Sequence, residues 1–234
     1  MKNKIAACSF SGGKDSTLAL YYAHKEGFDV RWLVNFISRR YRRSSFHGVP
    51  AEFIGIQARC LGKKIIQYSV GKTSVSYEKK FLKMLRKIKK LGAEYFICGD
   101  IYLEEHPNWI KRQCDKVGIK LIEPLWKRAP VEVVREFINL GFKARVVSIN
   151  ANLLPKSLVG VLIDKNFLRE IKRYNICSAG ENGEYHTFVY DGPIFKNRID
   201  ILKSEVVFKK TYWSAWFLNI KKVRIEEKYE SENC

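Results

Sequence analysis

Through its first half this chain repeats one unit: a short apolar run, a turn, and a stretch whose apolar residues recur at helical spacing. Residues 5–10, 29–37, 63–70, 94–99 and 120–126 read as strands. Residues 15–25, 51–61 and 109–117 read as helices closed by Gly27, Gly62 and Gly118. Phe81, Leu85, Ile88 and Leu91 mark a further helix, with Lys79, Lys80, Lys83, Lys87 and Lys90 outside its apolar stripe as a solvated face. Strands that are apolar along most of their length cannot turn either face to water. They require a parallel sheet covered by helices on both sides, so the expected fold class is α/β.

The pattern changes after Pro130. A helix over 131–140 and a strand over 144–149 lead into short helical pieces around Leu158 and Phe167. Strands over 185–191, 199–208 and 212–225, rich in aromatic and branched residues, look antiparallel. We expect a larger domain over 1–128, a smaller α+β domain over 129–226 and a polar tail over 227–234. Trp213, Trp216 and Phe217 read as core or interface residues. No apolar run approaches the roughly 18 residues needed to cross a bilayer, and the N-terminus runs straight into a strand, so neither a membrane span nor a secretory leader is expected. The six cysteines (Cys8, Cys60, Cys98, Cys114, Cys177 and Cys234) form no C-x-x-C pair and have no histidine at zinc spacing. Free thiols in a reducing cytoplasm are the expectation. The net charge of +19 suits an anionic ligand or nucleic acid, and equally a lysine-rich composition.

Between the first strand and the first helix stands Ser11-Gly12-Gly13-Lys14-Asp15-Ser16. Two glycines let backbone N–H groups come close to a phosphate, where a β-carbon would obstruct. The helix start adds N–H donors and the positive end of its dipole. The Ser11 and Ser16 hydroxyls and the Lys14 ammonium extend this cradle. A carboxylate among phosphates would be repelled, so Asp15 reads as a helix-start acceptor or a Mg²⁺ contact. The spacing is neither the Walker P-loop nor G-x-G-x-x-G. We expect residues 11–16 to bind ATP.

These six residues resemble the PP-loop of the ATP pyrophosphatase superfamily. That resemblance implies a sheet of the adenine nucleotide alpha hydrolase (HUP, Rossmann-like) type and cleavage of ATP between its α and β phosphates. The run from Cys177 to Pro193, together with residues 46–50 (Phe-His-Gly-Val-Pro), Gly99-Asp100-Ile101 and Glu123-Pro124-Leu125-Trp126, resembles the diphthine–ammonia ligase family. Family resemblance implies that ATP activates the carboxylate of diphthine on elongation factor 2, that AMP and pyrophosphate are released, and that ammonia forms the amide. Free ammonium, or a separate partner, is expected to supply the nitrogen.

Where that family carries Glu-Gly-Gly-Glu-aromatic-Glu-Thr, this chain reads Glu181-Asn182-Gly183-Glu184-Tyr185-His186-Thr187. The run from Glu104 to Trp109 also departs from the family's pattern. The Glu-Asn-Gly-Glu form resembles a sister group of PP-loop ATPases associated with corrinoid salvage. A tRNA-modifying PP-loop enzyme and a non-catalytic nucleotide sensor stay open as alternatives. Asn-Gly between strand-like residues also reads as a tight hairpin turn, which could aim both carboxylates and His186, titrating near neutral pH, at a cleft. Lys14, Asp15, Asp100, Glu181, Glu184 and His186 are the expected catalytic residues. His47, beside Arg39, Arg40, Arg42 and Arg43, joins Asn182 and Thr187 as an expected substrate contact. Asp100 has the end of the fourth strand, where open α/β sheets place ligand contacts.

Overall fold

A computed structural model describes residues 3–39, 41–44, 47–70, 74–102, 105–210 and 214–228. Arg40, Phe46, Glu104, Trp213 and Cys234 lie outside the described residues, as do the side chains of Glu105, His106 and Pro107. The first sheet contains β1 (Lys4–Ser9), β2 (Phe28–Ser38), β3 (Lys64–Val70), β4 (Tyr95–Ile97) and β5 (Lys120–Ile122). All its pairings are parallel, and the spatial order is β3-β2-β1-β4-β5. The chain therefore starts at the centre, builds outward to β3, then crosses over to β4. Loops leaving β1 and β4 diverge at this crossing, which opens a crevice at the carboxyl ends of the strands.

Helices α1 (Lys14–Lys25), α2 (Ala51–Cys60), α3 (Ser74–Lys90) and α4 (Glu105–Asp115) link these strands. Phe81, Met84, Leu85 and Ile88 of α3 cover one sheet face against Val34 and Phe96. Leu18 and Leu20 of α1 and Ile54 of α2 are fully buried on the other side, each contributing about 2 kcal/mol of transfer free energy. That second cluster does not stop at the first sheet. It continues through Val133, Val134 and Phe137 of α5 (Pro130–Asn139) into Phe188 and Ile199. Phe137 and Phe142 stack with centroids 5.0 Å apart, and Tyr21 of α1 meets Phe142 edge-on.

The second sheet is antiparallel. It comprises β6 (Lys143–Asn150), β7 (Tyr185–Asp191), β8 (Asn197–Lys210) and β9 (Ser214–Glu227), in the order β7-β6-β9-β8. A 3₁₀ turn at Lys156–Leu158 and α6 (Lys165–Ile171) precede β7. Strand β9 pairs with β8 as far as Glu227, so regular structure reaches the first residue of the expected tail. Among the described residues, strand β7 lies at the sheet edge and pairs only with β6. That edge meets the glycine loop. Cys8, Cys60, Cys98 and Cys114 are buried free thiols, and Cys177 is a half-buried one. No helix among the described residues is long and apolar enough to cross a membrane.

Candidate functional site

The glycine loop takes its shape from the backbone and from neighbours on both sheets. Gly12 sits at φ +84°, in the left-handed region that favours glycine. A β-carbon on Gly13 would stand 2.5 Å from His47 Cε1, so this position excludes larger residues. Behind the loop, Gln57 Nε2 donates to Gly12 O at 2.8 Å and to Val189 O at 2.6 Å. Asn35 Nδ2 donates to Phe10 O at 2.9 Å and to Ser44 Oγ at 3.2 Å. In front, Val189 N donates to Gly12 O at 3.0 Å and Lys14 N to Thr187 Oγ1 at 2.9 Å. Gly13, at the head of α1, carries no side-chain cap, which leaves helix-start donors for a ligand. The Ser11 and Ser16 hydroxyls lie 3.2 Å apart beside it.

A cavity of about 400 Å³ opens over this loop. Its walls bring together Ser11, Lys14, Asp15, Ser16, His47, Asp100, Glu181, Asn182, His186 and Thr187, residues spread from position 11 to position 187. Another cavity, between α5 and α6, is walled by Arg135, Lys165, Arg169 and Lys172 and has neither a carboxylate nor a glycine loop in its lining. Lys14 is 3% exposed. Its Nζ donates to Asp15 Oδ2 at 2.8 Å and to Ala179 O, and lies 5.2 Å from the centre of the Tyr185 ring. Burial alone would lower its pKa, but the Asp15 carboxylate, by its charge and its hydrogen bond, outweighs it and holds the ammonium form. Burial pushes the Asp15 carboxyl up against the opposing pull of Lys14. Asp15 Oδ1 is enclosed and has no hydrogen-bond partner.

The two carboxylates of the 177–184 loop part company. Glu181 enters the cavity, accepts from Ile101 N at 3.4 Å, and is pushed up to about 7 by burial and by the nearby Asp15 and Asp100. Glu184 is 3% exposed and turns into its own loop, where it accepts from Cys177 N at 2.8 Å, Asn182 N at 2.9 Å and Asn182 Nδ2 at 3.1 Å. This clamp is the physical reason the expected Asn-Gly hairpin is absent. Residues 177–184 fold as consecutive turns, Gly183 alone of the Asn-Gly pair has positive φ, and β7 pairs with β6 instead of the preceding segment. Tyr185 is buried and its hydroxyl donates to Ser178 O at 2.6 Å.

The rings of His47 and His186 meet at a tilt of 38°, with centroids 4.6 Å apart. A carbonyl only accepts, so the 3.0 Å contact to Thr187 O fixes the proton of His47 on Nδ1. Burial takes His47 down to about 4 despite that hydrogen bond, and Lys14 adds to the lowering. Burial, His47 and Lys14 hold His186 well below its ordinary value. Each ring still shows an edge to the cavity. Both are neutral at pH 7, and the near-neutral titration expected of His186 does not occur. Of the basic loop, Arg43 serves the fold: its guanidinium donates to Gly48 O at 2.6 Å and Asn219 Oδ1 at 2.8 Å. Gln57, Asn35 and Tyr185 were not singled out from the sequence. Gln57 had a signal, as a polar residue within the apolar stripe of Phe53, Ile54 and Ala58.

The fold and the cavity define an α/β protein with a glycine loop at its strand-order crossing, bonded to an edge strand of a second sheet. Residues 3–121 match the family model of the diphthamide synthase N-terminal domain, and residues 129–226 that of the diphthamide synthase C-terminal domain. The chain belongs to the diphthamide synthase family. Relatives include the diphthine–ammonia ligase of Mus musculus, 25% identical over 96% of this chain and 94% of the relative. That of Homo sapiens is 24% identical over the same shares of the two chains. The Schizosaccharomyces pombe enzyme is 24% identical over 84% of this chain but 36% of its own length. A solved structure of Rhizobium etli pyruvate carboxylase aligns with TM-score 0.32 and 13% identity over 98% of this chain and 24% of that one, too slight a likeness to bear on fold or function.

Proposed function

We propose that this chain is an ATP-dependent ligase that joins ammonia to a carboxylate by way of an acyl-adenylate, with diphthine on elongation factor 2 as the acceptor. One observation carries the reading: a single cavity lined by the glycine loop, by Asp15 and by Glu181, whose carboxyl is raised. Lys14, the helix-start donors and the Ser11 and Ser16 hydroxyls hold the β and γ phosphates. The acceptor carboxylate attacks the α-phosphorus. A carboxylate oxygen–phosphorus bond forms, and the bond to the β-phosphate oxygen breaks with its electron pair leaving on pyrophosphate. Nitrogen then attacks the acyl carbon and AMP departs. The protein supplies mainly position and charge.

Asp15 Oδ1, enclosed and without a partner, offers the oxygen a hard cation would take. Mg²⁺ bound there would neutralise phosphate charge. Among the described residues no group of three or more His, Cys, Asp or Glu could hold a metal, which fits an ion that arrives with the triphosphate and keeps several waters. Glu181 is placed to take a proton from ammonium, since its carboxyl exchanges protons at about pH 7. Glu184 and Thr187 act as positioning residues, one shaping the 177–184 loop and the other the glycine loop. His47 and His186 form a neutral wall beside the phosphates.

The test is ATP–pyrophosphate exchange with and without diphthine-bearing elongation factor 2. Exchange that requires this acceptor is expected. A second reading, the same chemistry on another acceptor, is favoured by Asn182 and His186 standing where the family's pattern has glycine and glutamate. Exchange with a different carboxylate, such as one borne by a corrinoid, and none with elongation factor 2 would establish that second reading.

A further inference from the structure

We infer that the cavity on the far side of the 177–184 loop is the docking site of the carboxylate-bearing acceptor, with Lys127 anchoring a negatively charged group of it; the inference rests on the ligase reading above. This cavity has about 750 Å³ and is bounded by Tyr102, Lys127, Arg128, Cys177, Asn182 and Glu184 among others. Asn182 lines this cavity and the nucleotide cavity alike. Its Oδ1 accepts from the Tyr102 hydroxyl at 3.3 Å. The 177–184 loop, clamped by Glu184, is thus a fixed partition between two chambers that meet at one side chain. A ligand in the outer chamber has its shortest way to the α-phosphate past Asn182.

Lys127 supplies the second, independent observation. Its backbone stands at φ +62°, held there by donation from its N–H to Ile101 O at 2.7 Å. Left-handed backbone crowds the β-carbon of any residue except glycine, and such strain concentrates at functional sites. A lysine at a position shaped for glycine calls for a use of its side chain. That side chain is exposed and makes no ion pair among the described residues. The other cation in the lining, Arg128, is already neutralised by Glu136 and lies over the Tyr22 ring at 5.3 Å. Among the described residues, Lys127 is therefore the cation of this wall that makes no ion pair, and it shares the wall with Asn182, which also lines the glycine-loop cavity.

The experiment compares wild type, Lys127→Gly and Lys127→Arg in acceptor-dependent ATP–pyrophosphate exchange, with thermal unfolding of each. Glycine fits the backbone without strain, so the thermal midpoint of Lys127→Gly stays the same or rises. Its KM for the acceptor rises about tenfold or more, as loss of one charged hydrogen bond requires, while its KM for ATP stays unchanged. Lys127→Arg keeps the charge and most of the affinity. An unchanged acceptor KM in Lys127→Gly would overturn the inference and leave the ligase reading intact. So would a rise confined to ATP or to pyrophosphate. If wild type itself shows no acceptor-dependent exchange, the ligase reading fails and this inference with it.

Discussion

The loops 11–16 and 177–184 face each other across one cavity and are held by opposite means. The glycine loop is fixed largely from outside: Gln57 behind it, and Val189 and Thr187 of β7 in front, bond its backbone. Its Ser11 and Ser16 hydroxyls bond only within the loop, to each other and to Gly13, and line the cavity. The 177–184 loop is fixed from within, by the one buried carboxylate of Glu184 taking three N–H donors. The difference separates chemistry from scaffolding. In the first loop nearly every residue can work on a ligand; in the second, Glu184 holds the frame and Glu181 is left for the reaction.

Lys14 should give the largest effect. Lys14→Met is expected to lower acceptor-dependent exchange about 100-fold or more, the scale of losing one charge stabiliser at a transition state. Residual exchange near the wild-type rate would break the comparison on the side of the glycine loop. Next come the two glutamates. Glu184→Ala removes the buried carboxylate that takes three donors and should cost about 3 kcal/mol in urea unfolding. Glu181→Gln should leave stability equal or improved above pH 7 and reduce turnover by at least about tenfold. Reversed outcomes would mean the two carboxylates had been assigned the wrong way round.

The pH profile sharpens the same contrast. Because the Glu181 carboxyl is raised to about 7, its base form is scarce below that value and dominant above it. Turnover at a fixed, limiting concentration of ammonium should rise through about pH 7 in wild type and lose that rise in Glu181→Gln. For stability the sign is opposite: the raised group favours the folded state at low pH, and that contribution disappears as pH climbs from 4.5 to about 7. The smallest effect is Thr187→Val, which removes the acceptor of the Lys14 N–H. It should raise the KM for ATP about fivefold, as one lost neutral hydrogen bond implies, with little change in turnover.

Most of the α/β half was legible because its signals are local. Apolar runs, glycine stops and the Ser-Gly-Gly-Lys-Asp-Ser loop each declare themselves within about ten residues. The site's other wall was legible as a set of residues but not as a geometry. Nothing near Asn182 and Gly183 signals that Glu184 will fold back on Cys177 N and convert a hairpin into consecutive turns. Nor does any local pattern tell that Val189 N will bond Gly12 O across 177 positions of chain. His186 shows the same gap in its electrostatics, since its neutrality comes from burial and, after that, from His47 and Lys14, neighbours only in space. Gln57 is the intermediate case, visible as an anomaly in an apolar stripe without disclosing that it braces the loop.

The central claim is that a triphosphate lies in the glycine loop with its α-phosphorus open to attack. Analysis of the nucleotides formed with diphthine-bearing elongation factor 2 and ammonium tests it most directly. The account predicts AMP and pyrophosphate in equal amounts with the amide product. ADP and inorganic phosphate in their place would contradict it.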